Sequence, residues 1–174
     1  MYDVAVIGCG IVGAAAAYEL SRYNCRALVL EANDVANVTT KANSAILHAG
    51  YDPTPGTLMA ETNVRGVALA KELCEKLDVE REEIGSLVLA FGEEDERHLE
   101  KLYQQGLANG VPGIELLTAD EVHALEPNVS DKVTAALYAP TAAIVSPWEY
   151  ALALAETAVV NGCELRLSAP VTGI

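Results

Sequence analysis

Three glycines near the N-terminus have the spacing of a nucleotide-binding turn. Gly8, Gly10 and Gly13 form a G-x-G-x-x-G sequence, and a carboxylate, Glu31, follows Gly13 by 18 residues. In such a turn the first glycine permits the tight bend, the second lets the backbone approach a pyrophosphate, and the third lets a helix pack on the preceding strand. The carboxylate can accept hydrogen bonds from a ribose 2′-hydroxyl and repels a 2′-phosphate. The spacing therefore predicts a dinucleotide site, with NADP as the least favoured ligand.

The residues around the glycines predict the elements that position them. The run from Asp3 to Ile7 is dominated by β-branched residues, which favours a parallel strand covered on both faces. The alanine-rich stretch after the glycines predicts a helix. Its first N–H groups, including those of Ile11 and Val12, would point at the phosphates together with the positive end of the helix dipole. A second apolar strand, over Ala27–Leu30, ends at the carboxylate.

The segment from Ala32 to Gly56 is long, polar and without a strand pattern. A loop of that length in a compact domain usually has a function. Its neutral hydroxyls and amides suit phosphate, ribityl or substrate oxygens, and they belong to Thr39, Thr40, Asn43 and Ser44. An alternative is that these side chains cap a short helix over 42–48, and the two roles are compatible.

The composition restricts the classes of partner. The formal net charge of −14 argues against nucleic acid or an anionic membrane as a direct partner. The four cysteines are scattered and form no C-x-x-C pair, so we expect reduced thiols and no metal site. Cys9 lies inside the glycine turn, where a small turn filler is favoured over a redox group.

The sequence shows no targeting or membrane segment. The alanine-rich helix is too short and too polar at its end to cross a bilayer, and no stretch has the character of a signal peptide. We therefore expect a cytoplasmic protein without an integral membrane segment. Association with the surface of a membrane stays an open alternative.

After the polar segment the chain changes to the pattern of an inserted α+β block. The predicted elements are a helix capped by Thr57 that runs to Leu77, a strand over 86–91, a helix over 93–105, a short strand over 114–117, and strands over 134–138 and 143–145. Thr118 and Glu121 form a capping box for a further helix that ends before Pro127.

The last part of the chain returns to the nucleotide domain. Ser146-Pro147-Trp148-Glu149 is a capping box with proline at the first helical position, and the helix ends at Asn161-Gly162. A strand is predicted over 163–168, and the chain continues extended from Val171 to Ile174. These patterns predict an α/β fold, with a Rossmann-like nucleotide-binding domain (a parallel βαβ sheet) formed by residues 1–84 and 146–174. An inserted, partial α+β substrate domain would occupy 85–145.

Together these segments resemble the FAD-dependent oxidoreductases of the D-amino-acid-oxidase and glycerol-3-phosphate dehydrogenase superfamily. The resemblance covers the whole chain and includes GCGIVG with Glu31, LEPNV, and APTAAIVSPWEYALALAETAVVNG. Its most specific part, NSAILHAGYDPTPGTLMA, is similar to the branch of bacterial glycerol-3-phosphate dehydrogenases and L-2-hydroxyglutarate dehydrogenases. Members of this superfamily are more than twice as long, so the chain resembles an N-terminal fragment whose fold is incomplete at the C-terminus.

The resemblance implies FAD as the cofactor and a position for it along the chain. The glycine turn and the start of the helix would line the pyrophosphate. Glu31, with Ala32 beside it, would bind the adenosine ribose, and Val171 would present backbone groups to the adenine. The hydroxyls and amides of the polar segment (Thr39, Thr40, Asn43 and Ser44) would lie along the pyrophosphate and the ribityl chain.

The resemblance also places His48 near the isoalloxazine ring, where it would act as a catalytic base or, as the alternative, serve only as a structural hydrogen-bond donor. In such enzymes a hydride leaves the substrate C–H bond for the flavin while a base takes the hydroxyl or amine proton, and a neutral histidine suits that task. His48-Ala49-Gly50-Tyr51 stands where aerobic glycerol-3-phosphate dehydrogenases carry an arginine-containing segment, which leaves the substrate open.

Three functions follow as alternatives. The leading one is the FAD-binding part of a dehydrogenase for a small hydroxylated molecule, with glycerol 3-phosphate favoured and L-2-hydroxyglutarate as the alternative substrate. The second is an amine or amino-acid oxidase of the same superfamily. The third, of another class, is a non-catalytic nucleotide-binding fragment. We expect the 174-residue chain alone to be inactive, and the electron acceptor and a homo-oligomeric state stay open.

Overall fold

The computed structural model describes residues 1–173 of the 174-residue chain. In chain order the elements are β1 (Val4–Ile7), α1 (Ile11–Leu20), β2 (Ala27–Leu30), a 3₁₀-helix (Val38–Lys41), β3 (Ile46–Leu47), α2 (Leu58–Leu77), β4 (Arg81–Glu82), β5 (Ser86–Ala90), α3 (Glu93–Asn109), β6 (Glu115–Thr118), α4 (Ala119–Leu125), β7 (Ala135–Ala139), β8 (Ala143–Val145), α5 (Pro147–Val160) and β9 (Glu164–Arg166). No strand is assigned at 171–173, where the sequence predicted extended chain, and the end of that stretch, Ile174, lies outside the described residues.

Contacts between residues divide the chain into two compact units. The first unit comprises residues 1–45, 74–80 and 145–173, and the second comprises 46–73 and 81–144. The second unit thus includes 46–73 as well as most of the predicted inserted block. The proposed functional domains, 1–84 with 146–174 and 85–145, stay a prediction, because compact units are defined by contacts alone.

The first unit is built on a parallel sheet whose strands come from both ends of the chain. The strand order is β1-β2-β9. Val4 pairs with Ala27 on one side of β2, and Leu28 pairs with Glu164 on the other. The third strand of the nucleotide-binding sheet therefore arrives only after the inserted block. The predicted α/β fold with a parallel βαβ sheet is confirmed.

The prediction that β1 is covered on both faces is wrong for this chain. Val4 is 36% exposed and Ile7 is 56% exposed. β1 is an edge strand of the three-stranded sheet, so β2 is its only strand partner among residues 1–173. An apolar run indicates burial only where neighbouring elements are present to provide it.

Small side chains join α1 and α5 within the first unit. Ala14 and Ala17 are buried on α1, and Ala151, Ala155 and Ala158 are buried on α5. The two helices contact each other along these faces. Since the distance between helix axes depends on the side chains at the contact, alanines permit a close approach.

Two predicted helix caps are present in the structure. Thr118 Oγ1 accepts the Glu121 N–H (3.4 Å) while the Glu121 carboxylate accepts the Thr118 N–H (2.8 Å), which completes the capping box of α4. At the start of α5, Ser146 Oγ accepts the Glu149 N–H (3.4 Å). This is one half of the predicted capping box, since among residues 1–173 no hydrogen bond joins the Ser146 N–H to the Glu149 carboxylate. Such caps satisfy backbone donors that a helix leaves unpaired at its start.

The second unit contains an antiparallel sheet that packs against α3. The strand order is β5-β7-β6, with Ser86 opposite Ala139 and Glu115 opposite Tyr138. Leu99 of α3 belongs to the same buried cluster as residues of β7. The predicted helix over 93–105 is confirmed but continues to Asn109, where the left-handed Gly110 (φ +76°) ends it.

A second small sheet corrects two predictions. β8, expected as a fourth strand of the inserted sheet, instead pairs antiparallel with β3, with Ile46 opposite Ile144, in the order β3-β8-β4. The segment 32–56, expected to lack strands, therefore contributes one. A strand of two residues is too short to produce an alternation of apolar and polar side chains, so the sequence carried no signal for it.

The longest helix, α2, follows the predicted cap. Thr57 Oγ1 accepts the Ala60 N–H (3.3 Å), and the helix runs to Leu77 as expected. Its sequence includes several charged residues. Across residues 1–173 no helix combines the length and the apolar character that crossing a membrane requires.

The packing of the glycine turn predicts a large difference between two glycine substitutions. A Cβ at Gly13 would lie 1.9 Å from the Gly8 carbonyl oxygen, whereas a Cβ at Gly66, on an exposed face of α2, would meet nothing within 4 Å. In the whole protein we expect Gly13→Ala to destabilise the fold by at least about 2 kcal/mol. Gly66→Ala should stabilise it by about 0.5–1 kcal/mol. Thermal unfolding of both variants checks this, and equal melting temperatures would contradict the close packing.

Candidate dinucleotide-binding site

The glycine turn connects β1 to α1 with backbone geometry that side chains would not permit. Gly8 has φ +96°, which L side chains rarely adopt. Its N–H donates to the Leu30 carbonyl (2.8 Å), which ties the turn to the end of β2. The first turn of α1 approaches the Gly8 carbonyl so closely that position 13 has no room for a Cβ. The predicted roles of Gly8 and Gly13 in the turn therefore have a visible steric basis.

The start of α1 presents backbone donors without acidic side chains. Gly10 is the N-cap and provides no side-chain cap, and the first turn carries no acidic residue. The Ile11 N–H donates to Thr40 Oγ1 (3.0 Å), and a Cβ at position 10 would lie 3.0 Å from that oxygen. Val12 follows in the same turn. A helix start of this kind favours an anion through its N–H groups and its dipole.

Glu31 connects the end of β2 to the glycine turn. One carboxylate oxygen accepts the Cys9 N–H (2.7 Å) and the other accepts the Asn33 N–H (2.8 Å). The Glu31 backbone is held as well, since its N–H donates to the Arg166 carbonyl and its carbonyl accepts the Ala169 N–H (2.9 Å each). An ionised carboxylate offers about four acceptor positions. Two amides use two of them, so acceptor capacity remains for a pair of ribose hydroxyls.

The polar segment after β2 folds back onto the turn. The Ala36 N–H donates to the Cys9 carbonyl (2.9 Å), and Ala36 itself adopts φ +58°. The 3₁₀-helix that follows brings the buried Thr40 against the start of α1. Thr39 on the same helix is exposed. The segment is therefore ordered by the turn that it covers.

Asn43 supports this segment from within. Its side-chain amide donates to the carbonyls of Thr39 (3.3 Å) and Thr40 (2.7 Å), and its oxygen accepts the Ala45 N–H (2.8 Å). Ser44 is exposed. The alternative of a cap on a helix over 42–48 is wrong, because that range contains β3 and no helix.

The remaining predicted site residues lie in different parts of the chain. Ala32 is exposed beside Glu31, and Val171 is 38% exposed after β9, both in the first unit. His48 belongs to the second unit, directly after β3, and its side chain is exposed. All predicted cofactor-binding residues therefore lie in the first unit, whereas the predicted catalytic residue, His48, lies in the second.

Cys9 has the properties of a turn filler. Its side chain is buried and its thiol is free. Burial raises the pKa of the Cys9 thiol to about 11, and the negative charge of Glu31 adds to the increase. A thiol that stays protonated near neutral pH is a poor nucleophile. Within residues 1–173, no cluster of three or more metal-ligating side chains occurs.

Sequence reasoning missed several backbone groups of the site. Asn33, Ala36 and Ala169 hold the turn and Glu31 through main-chain N–H groups. Such groups are present in every residue except proline, so residue type gives no signal for them. The hydrogen bond between Thr40 and Ile11 also joins residues 29 positions apart, which spacing alone does not reveal.

Together, the parallel sheet, the glycine turn, the helix start and Glu31 define a dinucleotide-binding domain of the α/β class. The model of the FAD dependent oxidoreductase family, DAO, matches residues 3–174. The chain belongs to this family of FAD dependent oxidoreductases. FAD, the cofactor predicted from the sequence, is the cofactor of the family, and the structure offers the cradle and the carboxylate that its ADP half requires.

Sequence relatives include enzymes with two different substrates. The chain is 51% identical to a glycerol 3-phosphate dehydrogenase of Caloramator mitchellensis over 175 aligned positions, which cover 100% of this chain and 36% of the relative. It is 34% identical to the mitochondrial L-2-hydroxyglutarate dehydrogenase of Dictyostelium discoideum, over 83% of this chain and 33% of the relative. The chain therefore spans about a third of the length of these relatives.

Solved structures of the family superpose closely on the chain. The dithionite-reduced, FAD-bound L-alpha-glycerophosphate oxidase from Mycoplasma pneumoniae has a TM-score of 0.91 and 32% identity, over 98% of this chain and 46% of that chain. The glycine oxidase from Geobacillus kaustophilus has a TM-score of 0.87 and 28% identity, over 96% of this chain and 46% of that chain.

The raised pKa of Cys9 predicts a contribution to the pH dependence of stability. Because the folded pKa, about 11, lies above the ordinary value of 9.0, this contribution is complete below pH 9.0 and is lost as the pH rises through about 11. We expect the melting temperature of the whole protein to fall less steeply between pH 9 and 11 in Cys9→Ala than in the wild type. Cys25→Ala, which removes a half-exposed thiol, is the control. Identical slopes for wild type and Cys9→Ala would refute the assignment.

Proposed function

We propose that the protein containing this chain oxidises glycerol 3-phosphate, and that the chain provides the ADP-binding part of its FAD site. The observation that carries this proposal is the 51% identity, over the whole chain, to the C. mitchellensis glycerol 3-phosphate dehydrogenase. The similarity to the FAD-bound glycerophosphate oxidase of M. pneumoniae supports it. Since the chain spans only part of such enzymes, we propose that it is inactive alone.

In this proposal the turn holds the pyrophosphate through the backbone. Gly8, Gly10 and Gly13 provide the room for close approach, and the Val12 N–H is the backbone donor. Ile11 lines the pyrophosphate, but its N–H already donates to Thr40 Oγ1. Thr40 lies beside them. Because its oxygen accepts the Ile11 N–H, its own O–H remains able to donate to a phosphate oxygen.

The other cofactor contacts that we propose involve residues of the first unit. Glu31, with Ala32 beside it, accepts hydrogen bonds from the adenosine ribose. The backbone at Val171 contacts the adenine. Thr39 and Ser44 are exposed and can donate to the pyrophosphate or the ribityl chain. Asn43 contributes indirectly, because its amide already orders the segment that carries them.

His48 is the group that we propose to remove the substrate hydroxyl proton. When bound, FAD accepts the hydride, that is two electrons and a hydrogen, from the carbon that carries the hydroxyl. The oxygen of that hydroxyl loses its proton to the His48 imidazole as the carbonyl forms, so the step balances as one hydride and one proton. An imidazole in its neutral form has a free ring nitrogen that can accept this proton.

L-2-Hydroxyglutarate is the second candidate substrate. The 34% identity to the D. discoideum enzyme favours it, and both candidates carry a hydroxyl and an abstractable hydrogen on the same carbon. The similarity to a glycine oxidase fold is compatible with an amine substrate in the same chemistry. A non-catalytic nucleotide-binding role would require the turn and Glu31 but not His48.

The proposal predicts which substrate reduces the flavin. The whole protein, purified and saturated with FAD, is mixed without oxygen with glycerol 3-phosphate, L-2-hydroxyglutarate, glycine, sarcosine or proline, and the loss of flavin absorbance is recorded. We expect glycerol 3-phosphate to give the largest apparent second-order rate constant.

Each other result points to a different function. If L-2-hydroxyglutarate reduced the flavin faster than glycerol 3-phosphate, or if only the amines reduced it, the proposed substrate would be wrong and the faster compound would take its place. A protein that binds FAD but is reduced by no compound of the panel would support the non-catalytic alternative. A protein that takes up no FAD would contradict the proposed site itself.

A further inference from the structure

Three side-chain amides in the second unit converge on the backbone of one short segment. The segment is 48–53, between β3 and α2. Asn63 of α2 donates to the His48 carbonyl. On α3, Asn109 donates to the carbonyls of Gly50 (2.9 Å) and Pro53 (2.8 Å), and Gln105 donates to those of Tyr51 (3.4 Å) and Asp52 (3.3 Å). Five of the six carbonyls in the segment thus accept a hydrogen bond from a side-chain amide.

Two glycines allow the segment to lie close to both helices. A Cβ at Gly50, which has φ +104°, would lie 2.7 Å from a methyl carbon of Val64 on α2. A Cβ at Gly106 on α3 would lie 3.1 Å from Tyr51 Cβ. The segment therefore contacts α2 at Gly50 and α3 at Tyr51, and neither contact leaves room for a side chain on the glycine.

The orientation of the Asn109 side chain indicates that it holds the segment through its NH₂ group and not through its oxygen. Its N–H₂ group faces the segment, whereas its side-chain oxygen is buried and has no hydrogen-bond partner within the described part of the chain. A buried acceptor without a partner is unfavourable by about 1–3 kcal/mol. Asn109 is therefore held in this orientation by its two donated hydrogen bonds and by packing.

We propose that Asn63, Gln105 and Asn109 form an amide clamp that fixes 48–53 and so positions His48 for proton removal. The proposal rests on the proposed function for the role of His48, but the clamp itself rests on contacts within the second unit. Asn63 holds the carbonyl of His48 itself, and the other two amides hold the carbonyls of residues 50–53. The three are positioning residues, since they act through the backbone of the segment.

The clamp is tested with a pair of matched variants on one helix. Asn109→Ala and Gln105→Ala remove clamp donors. Gln104→Ala is the control, because Gln104 is the exposed neighbour whose amide donates to Glu100 on the same helix. Hydrogen exchange of peptides covering 48–57 is measured in the whole protein. The rate of flavin reduction per bound FAD is then measured over a range of glycerol 3-phosphate concentrations up to saturation, which gives the limiting rate constant and KM.

We expect Asn109→Ala to raise exchange in 48–57 at least about tenfold and to lower the rate constant per bound FAD by about 10- to 100-fold, since small misplacements of a catalytic group have effects of that size. KM should change by less than about threefold. Gln105→Ala should show the same changes to a smaller extent, because its hydrogen bonds are longer. Gln104→Ala should match the wild type in both measurements.

Two results would overturn the clamp as a positioning device. One is unchanged exchange in Asn109→Ala. The other is raised exchange with an unchanged rate per bound FAD, which is the signature of a merely structural role. A wild-type protein that no compound of the substrate panel reduces would instead refute the proposed function, and exchange alone would then decide whether the clamp holds the segment.

Discussion

The hydrogen bond between the Glu31 carboxylate and the Cys9 N–H, at 2.7 Å, is the interaction on which the nucleotide site depends. It joins the end of β2 to the middle of the glycine turn, so the residue that would recognise the ribose also shapes the loop that would hold the phosphates. The same side chain orders the start of the polar segment through the Asn33 N–H. In the proposed site, the side chain that would bind the ribose thus also supports the turn that would hold the phosphates.

The support of this interaction comes from distant parts of the chain. The Glu31 backbone is hydrogen-bonded to both the Arg166 carbonyl and the Ala169 N–H. Strand β9 and the residues after it therefore help to fix the end of β2. Helix α5 leads into β9 and packs on α1, whose start faces the turn. The candidate binding residues of the turn and Glu31 therefore lie close together near the N-terminus, whereas the elements that hold them in place come from the other end of the chain.

Much of the fold could be predicted from the sequence, because the local sequence patterns of most elements agree with the tertiary packing of those elements. The glycine spacing, the caps at Thr118 and Ser146 and the late return of the third strand each have a physical mechanism that residue types reveal. The exposed face of β1 and the pairing of β8 with β3 could not be predicted, because they depend on which elements are neighbours in space. The sequence also could not predict the hydrogen bond of the Ala36 N–H or the contact of Thr40 with Ile11, because neither depends on composition or on the spacing of apolar residues.

The most direct test of the Glu31 account is the affinity of the whole protein for FAD when only the charge of that side chain is removed. Glu31→Gln keeps one acceptor but turns an NH₂ group toward a backbone amide, so both the turn and the ribose contact are impaired. Titration of the apoprotein with FAD should show at least about tenfold weaker binding, equivalent to about 1.4 kcal/mol. Glu115→Gln, an exposed glutamate on β6, should bind like the wild type. Equal affinities for Glu31→Gln and wild type, in proteins of equal melting temperature, would contradict the role assigned to Glu31.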